Sequence, residues 1–320
     1  MKSNLIFAFA AASLLLPLNS IGGEVPLETS ITPQEEVDAW SDLRRPITNP
    51  TLFDLAIPDT VIHPLVIHNR IPSTIDTILG DVPVGGDYQV YALQLEIQLT
   101  ERLSINATKD GYIDFNPDST LSSESGWANI SAGLKYAWLL QPENGLAANV
   151  QLLYEIPVGS DEVWQGNGDG VFIPSMNITK LCGPWQFVDQ FGFKIPVDSS
   201  ESSFFYNSAH VSYQLTDWFF PLIEVNYFRV LDTGDGAARF FPHAGGAVPA
   251  ITTFEGGDLV NWGAANADIN EDLVTLGIGF RIRCPQMKNT DIGFAWEFPL
   301  TDESESIMED RFTLDATIRF

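Results

Sequence analysis

A chain of 320 residues with 42 acidic and 16 basic side chains, net charge −26, lacks the clustered cations that neutralise phosphate, which excludes a sequence-independent nucleic-acid binder. Its 21 Phe, 8 Trp and 8 Tyr exclude a disordered chain, and two cysteines cannot build a disulfide scaffold. Only 18% of residues are charged, so the acidic excess has to be concentrated locally.

Residues 1–22 have the form of a secretory signal peptide: Lys2, an apolar run from Leu5 to Leu18, then small residues at Ser20, Gly22 and Gly23, with cleavage expected near Gly22. No later run is apolar for long enough to cross a membrane as a helix, which leaves an exported soluble protein or a β-barrel. Residues 23–59 carry a short helix-like stretch, Pro33 to Leu43, followed by Arg44-Arg45-Pro46. They read as a periplasmic or plug segment, or equally as a plain leader.

From residue 60 to 320 the pattern has period two. Strands are expected over 60–68, 88–99, 103–113, 127–139, 145–157, 171–180, 185–196, 204–215, 218–230, 272–283, 290–299 and 311–320. The first is the weakest, because Pro64 interrupts it. The last is the cleanest: Phe312, Leu314, Ala316, Ile318 and Phe320 share one face, and Arg311, Thr313, Asp315, Thr317 and Arg319 the other. Connections alternate between short (100–102, 141–144, 181–184, 216–217, 285–289) and long (69–87, 114–126, 158–170, 197–203, 231–271, 300–310). Trp127, Trp138, Trp185, Trp218 and Trp296 sit near strand ends, as interfacial girdles do. Together these define the expected fold: all-β, a transmembrane antiparallel barrel of twelve strands with short periplasmic turns and long acidic extracellular loops. A soluble β-sandwich fits less well, since its strands average five or six residues.

Several short stretches carry a resemblance. Leu99-Thr100-Glu101-Arg102-Leu103-Ser104, then Thr108-Lys109-Asp110-Gly111-Tyr112, with Arg45-Pro46 and Asn49-Pro50 upstream, are similar to the outer-membrane channel family of the meta-pathway of phenol degradation. That resemblance implies a transport-type barrel for small, hydrophobic solutes. The C-terminal Ala316, Ile318 and Phe320 resemble the signal that outer-membrane barrels present to the barrel assembly machinery.

The polar strand faces should look into the lumen. They carry both signs: Glu96, Lys135, Glu155, Lys194, His210, Glu224, Arg281, Arg283, Glu297, Asp315 and Arg319 are the candidate lumen-lining residues. Such a set either fills the wall interior with ion pairs or forms a polar constriction that selects solutes. His210 has Ser208 and Ser212 beside it, but a barrel hydrolase places its nucleophile on the lipid-facing side. Cys182 and Cys284 fall at turns four strands apart and are expected as free thiols. Gly166 to Gly170 is a turn, no nucleotide or metal motif appears, and no cofactor or catalytic site is expected. The long loops from 114 onward hold 19 acidic residues against one basic residue, Arg239. They should attract cations, and Asp302, Glu303 and Glu305 could bridge divalent ions. The function expected is passive transport of small solutes across the outer membrane, with cation preference. The partners expected are membrane lipids, the assembly machinery, the solutes and divalent cations at the loops. The alternatives are a structural or adhesive barrel with an occluded lumen and, third, a barrel hydrolase.

Overall fold

The computed structural model describes residues 40–75, 81–199, 201–234, 272–283, 287, 289–303 and 307–320. The expected signal peptide, most of the 231–271 loop, His243, Cys284 and Glu305 lie outside them. The strands, in chain order, are β1 (Val61–Arg70), β2 (Thr74–Ile75), β3 (Val82–Pro83), β4 (Asp87–Thr100), β5 (Leu103–Lys109), β6 (Tyr112–Asn116), β7 (Glu124–Trp127), β8 (Ile130–Gln141), β9 (Leu146–Ile156), β10 (Val171–Cys182), β11 (Trp185–Pro196), β12 (Ser203–Tyr213), β13 (Phe219–Asp232), β14 (Asp272–Arg283), β15 (Thr290–Pro299) and β16 (Asp310–Arg319). The order β1-β16-β15-β14-β13-β12-β11-β10-β9-β8-β5-β4, with β4 returning to β1, closes a ring of twelve antiparallel strands.

Two expected strands are each split in two. The expected strand 103–113 breaks at Asp110-Gly111 into β5 and β6, and the expected strand 127–139 breaks at Ala128-Asn129 into β7 and β8, which runs on to Gln141. β4 pairs with β6 near the long loops and with β5 near the short turns. Gly111 has φ +118°, and a Cβ there would lie 2.6 Å from the Tyr91 carbonyl oxygen, so only glycine allows the step. Asp110 accepts the Leu93 backbone N–H at 3.0 Å, satisfying a donor that the broken ladder leaves over. The expected loop 114–126 shrinks accordingly to 117–123, and the 69–87 connection carries the small β2–β3 hairpin. Pro64 does not prevent β1 from forming. Its ladder to β4 is continuous, while the ladder to β16 skips His63 and Pro64, as expected of a residue with no N–H to give.

The burial pattern is that of a soluble protein turned inside out. Leu134, Leu152, Ile223 and Leu314 are each more than half exposed on the outer wall, whereas Lys135, Glu224 and Arg281 are fully buried inside. All five tryptophans expected at strand ends face outward. The interior is zoned. Toward the long loops, one apolar cluster joins Leu65, Ile67, Tyr88, Ile113 and Phe115 to the inward-folded Val163, Trp164 and Ile307. A second groups Leu52 with Ile173, Phe204, Phe228 and Leu273. Toward the short turns the inward positions are mostly polar, interrupted by small apolar groups at Ala147 and Val188 and at Phe220, Leu222 and Ala295.

Residues 43–57 fill that polar half and are all buried. The helix-like expectation for Pro33 to Leu43 falls mostly outside the described residues, and Trp40–Asp42 form a turn. The segment enters at the short-turn end, where Arg283 pairs with Asp42 at 3.2 Å. It reverses at Asn49, a non-glycine residue with φ +52° whose carbonyl accepts the N–H groups of Leu52 and Phe53. It leaves by the same end into β1.

Candidate functional site

Fifteen residues of irregular chain inside a barrel need partners for their backbone groups, since no water-filled bulk surrounds them. The wall supplies those partners from its inward strand positions. Gln186 Oε1 accepts from Arg44 N at 2.8 Å, and Gln186 Nε2 donates to Arg44 O at 2.5 Å. Arg281 donates to the carbonyls of Arg45 and Pro46. Gln190 Oε1 accepts from Asp54 N at 2.9 Å, and Thr179 Oγ1 from Ala56 N at 2.9 Å. Asn149 donates to the Ala56 carbonyl at 3.1 Å, and Arg319 to the Leu43 carbonyl at 2.8 Å.

The tightest grip is that of Glu224 on β13. Its carboxylate accepts from Ile47 N at 3.0 Å, from Thr48 N at 2.6 Å and from Thr48 Oγ1 at 2.6 Å. Charge-assisted bonds of this length are the strong class. His210 Nδ1 lies 2.6 Å from the same carboxylate, and His210 Nε2 lies 2.9 Å from Ser212 Oγ. Ser212, His210 and Glu224 thus form a relay of the kind that activates a nucleophile. Here its capacity is directed to the inserted segment: Arg44 Nε donates to Ser212 Oγ at 3.0 Å, and all three side chains are buried. Ser208, the other serine considered, accepts from Asn49 Nδ2 at 2.9 Å and donates to Asn226 at 2.7 Å.

A second node surrounds Asp54. Arg45 pairs with Asp54 and, at 3.1 Å, with Glu96, while Lys135 Nζ lies 2.7 Å from Asp54 and 2.9 Å from Glu96. Two cations and two anions alternate, and the node is neutral. Burial pushes the Asp54 carboxyl up, but Arg45 and Lys135 outweigh it and hold the group down at about 2. Burial and the nearby Arg283 charge lower Arg44 to about 10.

The other expected lumen residues occupy the same interior. Asp315 joins Arg281 at 2.6 Å to His63 at 2.6 Å. Glu155 binds Lys109 at 2.6 Å and reaches Lys194 at 3.9 Å on the loop side of the segment, where Lys194 also sits 5.0 Å over the Phe204 ring. Glu297 accepts from Thr275 at 2.6 Å and faces Arg311 at 3.8 Å. Arg283 and Arg319 flank Asp291 at the short-turn mouth, at 2.9 and 3.0 Å. Cys182 is an exposed free thiol. Among the described residues no three candidate ligands gather as a metal site, and Asp302 and Glu303 are described without Glu305.

The neutral carboxamides Gln186, Gln190, Asn149 and Asn226, and the hydroxyl of Thr179, were not singled out from sequence. Their signal was their position on the polar strand faces, which carries no sign of charge. The partners they bind, Arg44 to Ala56, lie in a stretch without periodicity.

A closed ring has no free edge, an apolar outer wall suits hydrocarbon, and a polar interior suits water or a polar insert; these define a transmembrane β-barrel of the outer-membrane kind. The chain belongs to the family described as putative MetA-pathway of phenol degradation, whose model matches residues 71–283. Among solved structures, it is similar to the COG4313 outer membrane channel from Pseudomonas putida F1, with a TM-score of 0.56 at 12% identity over 82% of this chain and 96% of that one. The NanC porin (TM-score 0.47, 5% identity, 82% and 100% covered) and the KdgM porin (0.45, 7%, 81% and 99%) are more distant. No curated protein sequence matches the chain. The protein resides in the outer membrane, with its short turns toward the periplasm.

Proposed function

We propose that this protein is a passive outer-membrane channel for small solutes whose resting state is closed by residues 43–57. One observation carries the reading: a continuous, fully buried segment is held by wall side chains that touch it from every sector of the lumen. On this reading Glu96, Lys135, His210, Glu224, Arg281, Glu297 and Asp315 form the cradle of a plug and become the pore lining when it leaves. Glu155 and Lys194 line the approach on the loop side, and Arg283 and Arg319 the exit. The apolar clusters near the loops favour solutes with an apolar body, and the polar half favours those that also carry a hydrogen-bonding group. The acidic loops add a preference for cations over anions. The relay at Ser212 serves the latch and performs no hydrolysis.

The test is planar-bilayer recording of the full chain beside a variant lacking residues 40–57. The full chain should conduct rarely and in small steps, and the deletion should conduct steadily with cation-preferring reversal potentials. A folded deletion variant that stays closed would support the alternative of a structural barrel with an occluded lumen.

A further inference from the structure

The connection between β9 and β10 does not simply stand out into water. Asp169 is exposed, but residues 163–167 turn back into the lumen and are buried. Val163 and Trp164 enter the apolar cluster that holds Leu65 of β1, Tyr88 of β4 and Phe115 of β6. Two other connections send residues to the same place, Ile75 from the β2–β3 hairpin and Ile307 from the stretch before β16. β1, β4 and β6 are neighbours in the ring, and among the described residues the cluster takes none from β8 to β16. The filling of the outer lumen is therefore one-sided.

One side chain clasps the insert. Asn129 Oδ1 accepts the Gly159 N–H at 3.1 Å and the Gly166 N–H at 2.8 Å, so a single amide oxygen ties both legs of the turn. Asn129 Nδ2 donates to Glu155 Oε1 at 2.8 Å, an oxygen that also accepts from Lys109 Nζ at 2.6 Å, and Asn129 N donates to Gln165 Oε1 at 3.1 Å. The break between β7 and β8 is what makes this possible. It turns two consecutive residues inward: Ala128 packs in the apolar cluster, and Asn129 holds the clasp. Trp164 itself ends a 3-10 turn, Asp161–Val163, in the left-handed region at φ +61°. A tryptophan keeps that conformation only where its surroundings over-determine it, and such outliers gather at functional constraints.

We propose that residues 159–167 are a size filter at the outer mouth, with Trp164 the residue that sets the limit. The inference rests on the reading of this barrel as a plugged channel. The lumen is then the solute's route, and every atom packed into its outer end is subtracted from the passage. Filling from one side narrows that passage without sealing it. The filter and the plug act in series and differ in chemistry: polar wall side chains grip the plug, whereas apolar packing and one amide hold the insert.

Two measurements test this. In proteoliposomes, the variant lacking residues 40–57 should swell in arabinose and hold back stachyose, two uncharged sugars of different width. Adding Trp164→Gly removes the ring and suits the left-handed turn, since glycine takes positive φ freely. It should raise the stachyose-to-arabinose rate ratio at least tenfold, and Trp164→Phe should keep most of the parent's limit. In the full chain, with Cys182→Ser and Cys284→Ser as background, Val163→Cys should react slowly with a membrane-impermeant maleimide. Asn129→Ala should speed that reaction at least tenfold while the barrel keeps its heat-dependent gel mobility. An unchanged sugar ratio in Trp164→Gly, or Val163→Cys labelling that is fast in the parent or indifferent to Asn129→Ala, would overturn the inference. A chain lacking residues 40–57 that admits no arabinose counts against the plug, and the labelling of the full chain then decides the filter by itself.

Discussion

Glu224→Gln is the sharpest perturbation of the plug. The carboxylate takes three hydrogen bonds from the segment, two of them at 2.6 Å, and a fourth contact from His210. The amide keeps one acceptor oxygen and turns an NH2 group toward the N–H donors of Ile47 and Thr48, so at least one buried donor loses its acceptor. Bonds to charged groups contribute ~1.5–3 kcal/mol each, and a stranded buried donor costs a similar amount. Taking one such loss, the ratio of open to plugged channels rises roughly 10- to 100-fold, since ~1.4 kcal/mol is a factor of ten. Single-channel recording reads this as open probability. Tryptic cleavage after Arg44, which is buried in the plugged state, gives a second readout on the same protein. A heat-modifiable, correctly assembled Glu224→Gln barrel whose open probability and cleavage rate match the parent would show that Glu224 does not hold the plug.

Three further outcomes follow from other parts of the molecule. Asp54 sits at about 2 against an ordinary 3.8, so its contribution to anchoring is complete above 3.8 and is lost as pH falls toward 2; conductance measured against pH should be flat from 7 to about 4 and climb below that, and a rise already under way at pH 6 contradicts it. Phe320 closes the seam through its N–H to the Thr60 carbonyl at 3.0 Å and projects an exposed ring, so Phe320→Asp should cut the level of assembled protein in the outer membrane several-fold, read by surface labelling. Cation preference should be strong at 0.1 M salt and fade at 1 M, where the Debye length drops from ~10 to ~3 Å, and it should weaken when Asp302, Glu303 and Glu305 are neutralised; reversal potentials indifferent to both changes would assign selectivity to the lumen.

What the chain discloses in advance depends on which interactions are periodic. A strand with one wet and one greasy side repeats every two residues, so β16 and β14 are legible at their ends to within one residue. The breaks at Asp110-Gly111 and Ala128-Asn129 are not: the inward positions change parity there, from Ser104 and Asn106 to Ile113 and Phe115 and from Gly126 and Ala128 to Ser131 and Lys135, but the pieces on the loop side are too short for the change to stand out in the sequence. The charged lumen positions are visible as charges on the polar faces. Which of two roles they serve is not, since Arg281 bonding Asp315 and Arg281 bonding the carbonyls of Arg45 and Pro46 read identically along one strand. Residues 43–57 have no period because they form no strand or helix; their order comes entirely from distant side chains such as Gln186 and Glu224.

The inserted segment goes in and comes out through one mouth, and its return arm runs straight into β1, the strand that zips against both β16 and β4. It is therefore a thumb in a sleeve and not a thread through a ring. It can be drawn back toward the periplasm with every wall strand still paired, and traction on the residues before Trp40 would loosen its attachments in order, first Asp42 to Arg283, then Leu43 to Arg319, then Arg44 to Gln186. The same arrangement puts a direction on the barrier: from the outer side, a force on the tip near Asn49 meets all of those attachments at once.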